Sequence, residues 1–447
     1  MRAEWAIAGG TLIDPEARRS FEGTLLLSKG KIAAVLEGGI PFEAEEILDA
    51  TGCLVSPGFM DLHAHDEDPE DSNTAERALL LQGVTTALAG NCGEGPLLAS
   101  LRKSHPRHWL KVGYFTGHSQ LRRLVGVTDN YRPATAAEIA EMSTLLRREL
   151  AEGSFGLSLG IEYVPGTSRE ELEALTRISS GPDRLIPIHI RHDGPKCLEA
   201  MDEALSLAEI PGARIQISHL GSMTAFGFTR ESLAKVDRAI ESGRDVGLDC
   251  YPYYAFCTFT GSAVFDPGFE ERLGKGVEAL EAASGPHKGQ RLTRELFDRL
   301  RREDPDGILI AHVLDPEEVD LCLAHPRCIV GSDTLLVKGG GHPRAAGTFP
   351  KGLRMLREAG LSWPEALHRI TSLPAARARL EGQAGSLLEG SPADITVFDP
   401  VRLRDRATFA EPLLPPEGIR AVFLDGHPVV REGEIADETP RGRLLTR

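Results

Sequence analysis

Residues 57–65 read PGFMDLHAH, an apolar run that ends in two histidines two positions apart. On an extended strand, residues i and i+2 share a face. His63 and His65 therefore point the same way, and both can point into one interior. Further apolar runs of strand length follow, and several end on a residue able to bind metal. TTALAGNCG ends near Cys92, IPIHIR carries His189, IQISH carries His219, and IVGSD carries Asp333. KVGYFTGH, FGLSLGIEY, DVGLDCYPY and ILIAHV complete the series.

Between many of these runs the apolar period changes to that of a helix. AAEIAEMSTLLRRELAEG (136–153) and SREELEALTRISS (168–180) are two such stretches, and Ser168 with Glu171 reads as a capping box opening the second. Strand and helix in alternation over residues 57–384 predict an α/β protein built on a (β/α)8 TIM-type barrel. Nine candidate strands compete for eight places, and ILIAHV is the one expected to lie outside the barrel.

The two chain ends read differently. WAIAGGTLID and GTLLLSKGKIAAVLE are short strands, the second broken by a Lys29-Gly30 turn. ADITVFDP is a strand, and IRAVFLDGHPVVREGEI is a hairpin turning at Asp425-Gly426. Residues 1–56 and 385–447 are expected to form one small β-sandwich domain beside the barrel of residues 57–384. Residues 256–308 are long for a loop and carry a helical pattern of their own (RELFDRLRRE), so a lid-like insertion is expected there.

Composition limits the function. The 447 residues suit one large barrel plus a smaller unit. A formal net charge of -16 argues against nucleic acid and anionic membranes as partners. The N-terminus lacks the pattern of a signal peptide, and no apolar run is long enough for a membrane span. The seven cysteines are scattered and include no CxxC, which points to a reducing cytoplasm and not to a disulfide framework.

The six residues His63, His65, Cys92, His189, His219 and Asp333 all stand at C-terminal strand ends, the rim where barrel enzymes build their active sites. A divalent ion needs imidazole, thiolate or carboxylate ligands converging from separate parts of the chain. Such an ion lowers the pKa of a coordinated water and polarises a carbonyl. A neighbouring carboxylate then serves as general base, and Asp333 is the one suited to it. His118, His192, His312 and Cys250 are read as packing residues.

SPGFMDLHAH, GVTTALAGNCG, the IHIR and ISH pair, DCYPY, VGSDT, HPRAAGTFP, TSLPAARARL, GSLLEGSPADITVFDP and VRLRDRATFAEPLLPPEGI together carry a family likeness. The chain resembles the amidohydrolase superfamily and, within it, the N-acyl-D-amino-acid deacylases (D-aminoacylases). The resemblance implies a zinc-dependent hydrolase acting on carbon–nitrogen bonds other than peptide bonds. Cys92, His189 and His219 would hold a tightly bound Zn2+, with His63, His65 and Asp333 around a second, weaker site. Cys92 would take the bridging place filled by a carboxylated lysine in hydantoinases, and Asp333 would be the catalytic acid/base. Arg344 would clamp the carboxylate of a small-molecule substrate, and Tyr163 would help to bind it.

The sequence departs from the family twice. Leu220 and Gly221 follow His219 where a second His and a Lys are usual, and Cys257 stands where a Ser is usual. The expected reaction is deacylation of an N-acyl-D-amino acid to a carboxylate and a free D-amino acid. Alternatives that use the same site are a cyclic amide of hydantoin or dihydroorotate type and a dipeptide with a D residue. A non-catalytic scaffold of this fold is a third alternative, which retention of the whole ligand set disfavours. The oligomeric state is not implied by any of these features.

Overall fold

The computed structural model describes residues 3–65 and 72–447; Met1 and Arg2, part of the N-terminal stretch read above, lie outside the described residues. Among the described residues, eight of the nine apolar runs form parallel strands. Phe59–Ala64, Val84–Ala89 and Lys111–Tyr114 pair in that order. Leu157–Gly160, Ile186–His189, Arg214–Ile217, Asp245–Cys250 and Cys328–Val330 form a second series. Thr116–Gly117 continues the third run and pairs with Leu157–Gly160. At the other end, a parallel bridge joins Ala64 to Thr334, so the hydrogen bonding returns to the strand where it began. Nearly every residue of these strands is buried. Burial on both faces is why they read as continuous apolar runs and not as alternating ones.

The ninth run, Ile308–Ala311, does lie apart. It is the middle strand of a small antiparallel sheet, between Phe256–Phe259 and Leu280–Ala282. With the helices Phe269–Leu273 and Arg294–Glu303 this sheet accounts for the long segment after Cys250. Ile308–Ala311 is the centre of this sheet, so the strand belongs with the segment that precedes it.

The helix Ala136–Ala151 opens with a complete capping box, Thr135 with Glu138. The expected box at Ser168 is only half made. Ser168 Oγ accepts from the Glu171 backbone N–H at 3.2 Å, but the Glu171 carboxylate turns inward. It accepts two hydrogen bonds from Arg122 Nη1 and one from His118 Nε2, each at 2.7 Å. Charge-assisted bonds in a buried place outcompete a bond to a surface backbone N–H.

The chain ends share one hydrogen-bonded sheet of nine strands rather than two separate ones. Ile395–Phe398 pairs with Leu54–Pro57, which stitches the C-terminal strands to the N-terminal ones. Ala3–Asp14 changes partner along its length, from Ala44–Asp49 to Leu54–Pro57. The change falls at a bulge where Gly9 takes φ 74°, a conformation that suits glycine. Both predicted turns are present: Lys29-Gly30 and Asp425-Gly426 have positive φ at both residues and each joins two paired strands. The chain does not end in this sheet, however. Arg443–Leu444 pairs parallel with Lys111–Tyr114, outside the nine-stranded sheet. Gly442 makes this approach possible, because a Cβ there would sit 1.9 Å from the Leu110 carbonyl oxygen. The buried Lys111 ties the same strand to the small sheet, 2.7 Å from Asp394 Oδ2 and 2.6 Å from Asp425 Oδ1. Among the described residues, no helix is long and apolar enough to cross a membrane.

Candidate metal centre

The parallel strands deliver all six predicted residues to one end. His63 and His65 leave the first strand, Cys92 the second, His189 and His219 the fifth and sixth, and Asp333 the last. Three of the six stand in left-handed backbone: Cys92 at φ 52°, His219 at 31° and Asp333 at 51°. Each such residue costs about 1–3 kcal/mol and persists only where its surroundings hold it. Hydrogen bonds hold two of them. Asp333 N donates to the His63 carbonyl at 2.7 Å, and His219 N donates to Asp249 Oδ1 at 2.8 Å.

Side chains converge in two groups. Cys92, His189 and His219 offer ligand atoms that all lie within 4.8 Å of one another, as do His63, His65, Cys92 and Asp333. Cys92 thus belongs to both groups. Its Sγ is 3.4 Å from His219 Nε2 and 3.5 Å from His63 Nε2. His189 Nδ1 and His219 Nε2 face each other at 3.0 Å. Asp333 Oδ1 lies 3.1 Å from His65 Nε2 and 3.4 Å from His63 Nε2.

Each of three imidazoles is also gripped on its outer nitrogen. His63 Nδ1 is 2.9 Å from Asp249 Oδ1, His189 Nε2 is 2.9 Å from Glu162 Oε2, and His219 Nδ1 is 3.0 Å from Ser222 Oγ. A carboxylate on one ring nitrogen takes its N–H and leaves a lone pair on the other. The lone pairs so fixed on His63 and His189 point inward, at the Cys92 sulfur and at His219. Nitrogens facing at 3.0 Å beside a sulfur need something positive between them, a proton or a metal ion. Tetrahedral zinc with ordinary bond lengths spaces two nitrogens by about 3.3 Å, and nitrogen and sulfur by about 3.6 Å. The donor set therefore fits a zinc-like ion in both chemistry and spacing.

Electrostatics agree. Burial pushes the Cys92 thiol up, but interaction with the neighbouring His63 and His219 outweighs it and holds the group well below the usual thiol range. Burial likewise opposes ionisation of Asp333, and the Arg344 guanidinium, with His63 and His219, holds its carboxyl well below the carboxylate range. A third cluster, Glu76 with His105 and His108, is of another kind. Glu76 Oε1 accepts from His105 Nε2 at 3.0 Å and from His108 Nδ1 at 2.7 Å, and Oε2 accepts from the Trp109 and Leu110 backbone N–H groups. Each of these four contacts pairs a donor with an acceptor.

Above the centre is a narrow cleft whose free volume is about 20 Å³, little more than a water molecule needs. Tyr163, Met223, Tyr251 and Asp333 line it, and the insertion adds Phe256, Cys257, Thr258 and Val264. The Tyr163 ring lies 4.5 Å from the His189 ring, tilted by 50°, and its hydroxyl accepts from Thr258 Oγ1 at 3.4 Å. Arg344 does not line the cavity. It stands with three residues that do, 2.8 Å from Asp333 Oδ2, 4.7 Å over the Tyr251 ring, and donating to the Cys257 carbonyl at 3.3 Å. Its Nε and Nη1 groups, buried, have no aligned hydrogen-bond acceptor among the described residues. His118, His192, His312 and Cys250 take no part in the six-residue cluster.

A model of the amidohydrolase family matches residues 297–430. An N-acyl-D-aspartate deacylase of Alcaligenes xylosoxydans xylosoxydans is 31% identical over 99% of this chain and 95% of its own length. A D-aminoacylase of the same organism is 31% identical over 99% of this chain and 97% of its own. The chain belongs to the D-aminoacylase group of the amidohydrolase family. Among solved amidohydrolases, the N-acyl-D-glutamate deacylase of Bordetella bronchiseptica, complexed with zinc and a phosphonate mimic of the tetrahedral intermediate, matches at 31% identity. That match covers 100% of both chains with a TM-score of 0.87. A D-hydantoinase, at 19% identity and a TM-score of 0.65, shares the amidohydrolase fold.

Against the D-aminoacylase pattern, the departure after His219 has a local cause. Leu220 is buried in the helix Leu220–Thr224, and a Cβ at Gly221 would come 2.6 Å from Cys250 Sγ. No long polar side chain fits at Gly221. Cys257 lines the cavity as a neutral thiol, pushed up to about 12 by burial. Sequence reading missed the carboxylates behind the histidines, Glu162 and Asp249. Each is an acid set in an apolar stretch, GIEYV and GLDCY, and that is the only mark it carries.

Proposed function

We propose that this D-aminoacylase-family protein is a zinc-dependent hydrolase that converts an N-acyl-D-amino acid and water to a carboxylate and the free D-amino acid. The observation that carries the reading is the inward-facing set of Cys92 Sγ, His189 Nδ1 and His219 Nε2, with the Asp333 carboxylate beside it. Cys92, His189 and His219 would hold the tight ion, and His63, His65 and Asp333, sharing Cys92, a weaker second one. Zinc so held lowers the pKa of a coordinated water and polarises the scissile carbonyl. Asp333 Oδ1 takes a proton as the water oxygen bonds to the carbonyl carbon. It returns that proton to the nitrogen as the carbon–nitrogen bond breaks. Arg344 supplies the cation for the substrate's α-carboxylate, supported by its buried Nε–H, which has no acceptor among the described residues. Tyr163 closes the wall over the acyl group.

In this reading the circuit of parallel strands is a (β/α)8 barrel with its site at the C-terminal rim. The sheet of both chain ends is the smaller domain, and residues 256–311 cover the barrel mouth. Seven free cysteines suit a reducing compartment. The test is metal analysis of the purified protein together with turnover of N-acetyl-D- and N-acetyl-L-amino acids, hydantoins and D-residue dipeptides. Bound zinc and selective turnover of the N-acetyl-D series are expected. A folded protein without metal, or turnover confined to the cyclic amides, would refute the proposal.

A further inference from the structure

Glu162 stands on the turn Ile161–Tyr163, just after a strand whose last residue, Gly160, lies against Cys92. A Cβ at Gly160 would be 1.9 Å from the Cys92 carbonyl oxygen. From this turn the buried carboxylate reaches in two directions. Oε2 meets His189 Nε2 at 2.9 Å, and Oε1 meets Arg272 Nη1 at 2.9 Å. Arg272 belongs to the helix Phe269–Leu273 of the insertion. It also pairs with the buried Asp193 and donates to the Val264 carbonyl. The loop after His189 approaches the same helix: Gly194 has φ 57°, and a Cβ there would come 2.9 Å from the Arg272 carbonyl oxygen.

These contacts form a chain from the insertion to a ligand of the centre. An imidazole coordinates through one nitrogen only, and its other partner decides which. With Glu162 taking the Nε2–H, His189 presents the Nδ1 lone pair to Cys92 and His219. A carboxylate with a free second oxygen could rotate about its side chain and release that hold. Arg272 occupies the second oxygen.

We infer that Arg272 is a positioning residue for the metal centre, fixing Glu162 on His189 so that docking of the insertion and binding of the metal stabilise each other. The inference rests on reading Cys92, His189 and His219 as the tight site. Because such coupling is reciprocal, metal must tighten the insertion by as much as the docked insertion tightens the metal.

The full-length protein, freed of metal, is titrated with zinc against a chromophoric chelator. In parallel, cleavage within residues 256–311 by a trace of protease is timed with and without zinc. Glu162→Gln is expected to weaken zinc binding about 10- to 100-fold, and Arg272→Met about 10-fold. Arg272→Lys, which keeps the charge, should recover most of that loss. Zinc should slow cleavage of the wild type and leave that of Arg272→Met unchanged. If Arg272→Met does not fold, Glu162→Gln, neutral and of the same shape, carries the test. Wild-type affinity together with zinc-dependent protection in the folded variants would overturn the inference. A wild type that binds no zinc would instead overturn the metal reading beneath it.

Discussion

Arg344 Nη1 lies 2.8 Å from Asp333 Oδ2, and both groups are buried. The pairing divides one carboxylate between two duties. Oδ2 is held by a permanent cation, while Oδ1 faces His63 and His65. Such a carboxylate stays ionised in a dry site and, in the proposed mechanism, keeps one oxygen for proton transfer.

Asp333→Asn keeps the shape and removes the base. Turnover should fall by about 10²- to 10⁴-fold, while zinc at Cys92, His189 and His219 is retained. Paired measurements of kcat and zinc content check this. A variant with near wild-type kcat would show that the proton is handled elsewhere.

Arg344→Met should cost more with a substrate acid than with its amide. The wild type is expected to prefer an N-acetyl-D-amino acid over the corresponding amide, and the variant to lose that preference along with about 100-fold in kcat/KM, the size of a buried charge pair. An equal loss on both substrates would mean that Arg344 serves Asp333 alone.

Side-chain preference follows from the cavity wall. Met223, Phe256 and Val264 are apolar, and the carboxylates of Glu162 and Asp193 also line the space with Arg272 as their shared cation. A substrate carboxylate there meets like charge, which costs several kcal/mol. N-acetyl-D-methionine or N-acetyl-D-leucine should exceed N-acetyl-D-aspartate and N-acetyl-D-glutamate by about 100-fold or more in kcat/KM. Comparable values across the four would place the side chain elsewhere.

Glu171 provides a stability test remote from the metal centre. Its carboxylate, fully buried, is held below the ordinary glutamate range: burial pushes it up, but the bonds from His118 and Arg122 prevail. Glu171→Gln leaves the Arg122 charge unpaired and should cost about 3–5 kcal/mol at neutral pH. The folded pKa is the lower one, so the contribution of the charge is complete above the unfolded value of about 4.3. It is lost as pH falls through the folded value. Urea unfolding of both proteins from pH 7 down to about 3.5 should therefore show the gap narrowing. A gap that stays constant would mean that the charge of Glu171 is not what stabilises the fold.

The candidate site was legible because the residues proposed as its ligands end strands. His63, Cys92, His189, His219 and Asp333 each follow an apolar run that has to be buried, so the pattern that gives the strand also gives the position of the ligand. What supports them was not legible. Glu162 and Asp249 look like any acid near a strand end, and their partners lie 27 and 186 residues away. Local rules also lost where a distant partner offered more, as when Glu171 left Ser168 for Arg122. The fate of the tail was hidden for a similar reason. Arg443–Leu444 is too short to announce itself as a strand and exists only because Lys111–Tyr114 has a free side to receive it.

The left-handed backbone at Cys92, His219 and Asp333 has a consequence for anyone who would move this centre to another scaffold. Copying the side chains onto regular strands would aim the thiolate, one imidazole and the carboxylate in the wrong directions. The unit to transplant is the strand end with its kink and the hydrogen bonds that hold the kink. A host that cannot supply those bonds will relax the three corners and open the nest of ligands.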